Sequence, residues 1–168
     1  MPAGWHAELR LDYAHEHGRT RSHFEHRGPL RVLKALYPEG DAICHHVLVH
    51  PPAGLVSGDR LAVNVHVGAG AHAVVTTPGA SRWYRAREDA PVPEAEQCVQ
   101  LTLAPGARLE WLPLEALVYD GAQALNRMAV RLAPGASMIG WDLLALGLPA
   151  FDAPFTRGWL DQRLAIEG

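Results

Sequence analysis

The side chains of this 168-residue chain best able to do chemistry are its histidines, one cysteine and a few carboxylates in unexpected company. Ten histidines are present, and Cys44 is followed closely by His45, His46 and His50. On a strand, the even spacings put Cys44, His46 and His50 on one face. Thiolate and imidazole there are candidate weak ligands for late first-row divalent ions, and Cys44 and His46 alone could chelate one. The plainer alternative is that Cys44 is a small core residue. His6, His15, His17, His23 and His26 are spaced irregularly and form no ligand pattern.

Three acids also stand out. Asp142 lies inside the almost wholly apolar run 138–146, Glu110 lies between Leu109 and Trp111, and Asp59 ends the loop 55–59. A carboxylate among apolar residues must be paired, protonated or turned to water. Each of the three could accept structural hydrogen bonds from a nearby turn. Alternatively, acids could face a water-filled interior path and hand on a cation. Glu110 and Asp142 could also serve as an acid and base pair in a β-sandwich hydrolase. A metal-storage or sensor module built on Cys44 and the histidines is another option. The sequence has no Gly-Lys-Ser/Thr phosphate loop, no His-Glu-x-x-His, no Gly-x-Ser-x-Gly and no dinucleotide fingerprint, which lowers the case for an enzyme.

The elements that must position these groups read as strands. Trp5, Ala7, Leu9, Leu11 and Tyr13 alternate with polar residues, as do Val99, Leu101 and Leu103, and Met128, Val130 and Leu132. Period two marks a strand with one buried face. Further strands are predicted at 43–50, 61–67, 71–77, 108–112 and 138–146. A turn recurs three times, at Gly68-Ala-Gly70-Ala71, Ala104-Pro-Gly106-Ala107 and Ala133-Pro-Gly135-Ala136. In the last two, Pro presets φ at i+1 and Gly accepts the positive φ at i+2 of a type II turn. Reading each turn as joining two paired strands predicts hairpins that recur at solenoid-like spacing, since the glycines fall 36 and 29 residues apart. The expected fold is mainly β: many short antiparallel strands and hairpins in stacked or helical layers, with few short helices. A β-sandwich would show a similar pattern. The charged, proline-bearing segment 85–96 reads as an exposed loop, so 1–168 is expected to form a single domain.

Composition limits the partners. A net charge of −3 gives no bulk reason to bind nucleic acid or an anionic membrane. No apolar run approaches the roughly 18 residues of a membrane span, and the first residues do not resemble a signal peptide. Two cysteines are too few for a disulfide framework. The expected location is the cytoplasm.

Several segments together resemble the UreD/UreH urease accessory proteins. They are Gly28-Pro-Leu-Arg-Val32, Tyr37-Pro-Glu39, His50-Pro-Pro-Ala-Gly-Leu-Val-Ser-Gly-Asp59, Thr76-Thr-Pro-Gly-Ala-Ser81 with Tyr84-Arg85, Glu110-Trp-Leu-Pro113 with Asp120-Gly-Ala122, and Gly140-Trp-Asp-Leu-Leu144 with Leu146-Gly147. Their order and spacing run along nearly the whole chain. Ala53 and Ser57 stand where that family tends to have glycine, and Leu114 and Leu148 replace a glutamine and an arginine. Such proteins continue for roughly another hundred residues, so the resemblance implies that a C-terminal third is missing here. It also implies a non-catalytic role: a maturation chaperone and scaffold, joined with the helical partner UreF and the GTPase UreG, that delivers nickel to apo-urease. Nickel would be transient cargo, with no tightly bound cofactor. The family's proposed nickel route is a water-filled tunnel. Carried onto this chain, its candidates are Asp59, Ser81 and Asp142, with Thr76, Glu110 and Glu115 behind them.

Overall fold

The computed structural model describes residues 4–168. Fourteen strands are β1 (His6–Glu16), β2 (Arg19–Arg27), β3 (Arg31–Val32), β4 (Ile43–Val49), β5 (Arg60–Val67), β6 (His72–Thr76), β7 (Ser81–Trp83), β8 (Ala95–Leu103), β9 (Arg108–Leu112), β10 (Ala116–Val118), β11 (Gln123–Leu132), β12 (Ser137–Gly140), β13 (Leu144–Leu146) and β14 (Trp159–Glu167). A single 3-10 turn spans Pro149–Phe151. No helix among the described residues is long and apolar enough to cross a membrane. The fold is mainly β, as the alternation predicts.

The strands form three sheets, ordered β14-β11-β8-β5-β1-β2, β12-β9-β6-β4-β3 and β13-β10-β7. From β5 onward the chain visits the first sheet, then the second, then the third, and repeats. It therefore winds as a three-faced coil. Equivalent strands of successive coils pair in parallel: β5 with β8, β8 with β11, β11 with β14, and β6 with β9. The solenoid reading of the glycine spacing is correct, but the hairpin reading is not.

The turn type explains the difference. Ala71, Ala107 and Ala136 each donate their N–H to the carbonyl three residues back, at 3.0 Å. Gly70, Gly106 and Gly135 have φ of 69°, 68° and 77°. These are type II geometries, and type II turns splay the flanking strands instead of pairing them. Each such turn is a corner that carries the chain into the next sheet. β3 and β4 pair antiparallel across a longer loop, and the tight hairpin, β1–β2, is antiparallel too. It turns at His17 and Gly18, both at positive φ (51° and 79°), which is the primed geometry that matches strand twist. The predicted strand 138–146 also crosses a corner and splits into β12 and β13.

Parallel register stacks like positions into ladders. Leu11, Val65, Leu101 and Val130 form one ladder inside the coil, and Leu9, Val63, Val99 and Met128 another. All eight are buried within one connected core. Burial of each such apolar side chain is worth about 1.5–3 kcal/mol. The coil thus has an apolar interior, and any polar group found inside it needs a partner.

Candidate functional site

One inward ladder is not apolar. Gln97 stacks on Asn126, and Asn126 on Gln162. Asn126 is 1% exposed. It accepts a hydrogen bond from Gln97 Nε2 at 3.2 Å, and its own Nδ2 donates to Asp142 Oδ2 at 2.7 Å. Gln162 Nε2 donates to the Asp142 carbonyl at 3.2 Å. Asp142 follows β12 and keeps the inward parity of Met138 and Gly140, which explains a carboxylate inside an apolar run. The stripe of amides satisfies one carboxylate oxygen.

This stripe borders a cavity of about 350 Å³ that reaches into the coil and is partly open to solvent, bounded by Ser81, Gln97, Asp142, His50, Trp111 and Met128 among other residues. Asp142 is the one carboxylate among its lining residues. Ser81 reaches the cavity with the inward parity of Ala116, with which it pairs, and Arg82 borders the cavity as well. Apolar walls weaken screening, so the Asp142 carboxylate pulls on a cation more strongly there than in water, with Arg82 on the same lining opposing it.

The other acids lie elsewhere. Asp59 is 2% exposed and accepts the backbone N–H of Trp5 at 3.2 Å and of Val56 at 2.9 Å. It ties the entry of β1 to the loop before β5. Burial pushes its carboxyl up, and the two N–H donors pull it part of the way back. Glu110 sits between inward Leu109 and Trp111 and so points out of the coil, where it meets His72 Nε2 at 2.9 Å. Glu110 and Asp142 therefore lie on opposite sides of one sheet. The acid and base pair expected for a hydrolase does not form. Thr76 Oγ1 donates to the Leu112 carbonyl at 2.7 Å, a link between coils. Glu115 is exposed, and its carbonyl accepts the Ser81 N–H. None of these four lines the cavity.

The cysteine and histidine cluster divides in the same way. Cys44, His46 and Leu48 share the inward face of β4, and both Cys44 and His46 are fully buried. His46 Nδ1 lies 2.7 Å from the Tyr13 hydroxyl. Burial lowers the His46 pKa to about 4. His50, just past the strand, reaches the cavity wall, with the Trp5 ring 4.8 Å away; burial lowers its pKa too. Among the described residues no three His, Cys, Asp or Glu side chains are grouped to hold a metal ion.

The low His46 pKa gives a testable pH dependence. Folded His46 stays neutral down to about pH 4, whereas the unfolded ring takes a proton near pH 6.5. Stability is therefore full above about pH 6.5 and falls as pH drops toward 4, by up to about 3 kcal/mol from this residue. Urea midpoints measured across that range should show the loss, and His46→Gln should flatten it. An unchanged slope in the variant would assign the effect to other groups.

Sequence reasoning missed Gln97 and Asn126. The available signal was parity: Asn126 falls between Ala124 and Met128, and Gln97 precedes Val99 by two.

Together the fold and site define an all-β coil protein whose apolar interior carries one stripe of amides and a carboxylate beside a cavity. Comparison with known sequences identifies the family: residues 6–168 match the profile described as UreD urease accessory protein, and the chain belongs to that family. Similar curated relatives are the urease accessory protein UreD of Polaromonas sp. at 54% identity, of Verminephrobacter eiseniae at 57% and of Paracidovorax citrulli at 56%. Each alignment covers 98% of this chain and 58% of the relative. The chain thus spans a little over half the length of these relatives.

Proposed function

We propose that the chain forms the coil portion of a urease maturation chaperone, and that its interior is a stage on a route for nickel. The protein acts as a scaffold with UreF and UreG on apo-urease in the cytoplasm, and it catalyses no reaction of its own. Nickel is cargo. The observation that carries this reading is the cavity wall on which Asp142, Ser81 and Gln97 meet. One carboxylate supplies attraction, while hydroxyl and amide oxygens supply weak, exchangeable contacts. Hard oxygen donors hold late first-row ions less firmly than a thiolate and imidazole cage would, and a relay has to release its ion.

The storage reading is less well supported. Cys44 and His46 have no exposed surface, and Nδ1 of His46 already has the Tyr13 hydroxyl as a partner. The test is to mature apo-urease with the other accessory proteins, with and without the full-length protein, and to measure bound nickel. Loading should collapse without it. Equal loading in its absence would reject the proposal.

A further inference from the structure

We infer that His50 is the nitrogen donor of the interior cavity and sets which divalent cations it accepts, favouring late first-row ions over magnesium and calcium. The inference rests on the nickel-route reading and names the residue that gives the route its selectivity.

His50 continues the inward parity of β4, two residues past Leu48. The groups of that face part ways at this point. Cys44 and His46 are closed into the core, whereas His50 borders the cavity with Asp142, Ser81, Gln97 and Met128. The chain turns at His50, whose carbonyl accepts the Ala53 N–H at 2.7 Å. Trp5 packs on the ring.

His50 Nε2 is buried and, like Nε2 of His46 in the closed core, has no hydrogen-bond partner among the described residues; of the two rings, that of His50 borders the cavity. An unpaired buried polar atom is unfavourable, and no protein group among the described residues pairs this one. Turning the ring so that Nε2 faces the cavity would let it ligate an ion. That turn exchanges an unpaired nitrogen for a coordinated one. Burial disfavours the protonated ring, and coordination requires the neutral one.

The chemistry of the donor set supplies the selectivity. Carboxylate, hydroxyl and amide oxygens alone suit magnesium and calcium as well as transition ions, whereas imidazole suits late first-row ions. One nitrogen and one carboxylate, with neutral oxygens around them, give preference without a closed cage. The thioether of Met128 adds a soft neighbour.

The test uses the full-length protein and the metals alone. Ni2+ and Mg2+ affinities are measured by calorimetry for the native protein, His50→Ala, His50→Gln and Asp142→Asn, with thermal melts as the folding control. The His50 variants should lose nickel affinity about tenfold, the lower end seen when metal-site groups are removed, with magnesium unchanged. Asp142→Asn should weaken both metals. If either folded His50 variant binds nickel as the native protein does while Asp142→Asn does not, the role of His50 is overturned and the route stands. If Asp142→Asn also binds nickel normally, both readings fall.

Discussion

Asp59→Ala is expected to destabilise the protein by about 2–3 kcal/mol, and to lower urease maturation only in proportion to the folded protein lost. The buried carboxylate is the acceptor for the Trp5 and Val56 N–H groups. Truncation leaves two partly buried donors without partners, and each such donor costs about 1–3 kcal/mol, less whatever water can repair. The site has little room to relax. A Cβ built on Gly4 falls 2.0 Å from the Gly58 carbonyl carbon, so the two backbones are already in close contact there. Asp59→Asn keeps one acceptor oxygen and should fall between the two. Chemical denaturation gives the stability, and nickel loading per folded molecule separates the roles. Undiminished stability with lost loading would return Asp59 to the route.

Asp142→Ala is expected to do the opposite. Nickel loading should fall about tenfold or more, the scale on which metal-site groups act, while folding and assembly persist. The carboxylate is half-buried; its removal leaves the buried Asn126 Nδ2 without its acceptor, at about 1–3 kcal/mol, while the Gln97 bond to Asn126 Oδ1 remains. The Gln162 bond goes to the Asp142 main-chain carbonyl and survives the substitution. Asp142 is also the one carboxylate on the cavity wall. Its removal takes away the attraction while leaving the coil's ladders untouched. Asp142→Asn retains an oxygen donor without the charge, so it tests attraction apart from shape.

Much of this architecture was legible from alternation. Period two in 98–103 and 127–132 placed Val99, Leu101, Met128 and Val130 on the inner face, where they are found. The glycine spacing announced the coil repeat. What alternation cannot give is which strand pairs with which, because a strand shows the same pattern whether its neighbour is parallel or antiparallel. The Pro-Gly corners were readable as type II turns, and that geometry argues against hairpins. For the acids, the same parity rule that turns Glu110 outward turns Asp142 inward. Asp142 also lies beyond the end of β12, where the coil bends and only the three-dimensional register fixes its side. The cavity itself has no sequence signature, since Ser81, His50, Gln97 and Asp142 come from different sheets and coils.

The most direct measurement is the nickel bound per urease active site after maturation with full-length protein carrying Asp142→Ala, corrected for the amount of accessory complex assembled. The account predicts intact assembly with nickel reduced about tenfold or more, and an intermediate value for Asp142→Asn. Native nickel content in an assembled Asp142→Ala complex would contradict it, and would show that the ion does not depend on the interior of this coil.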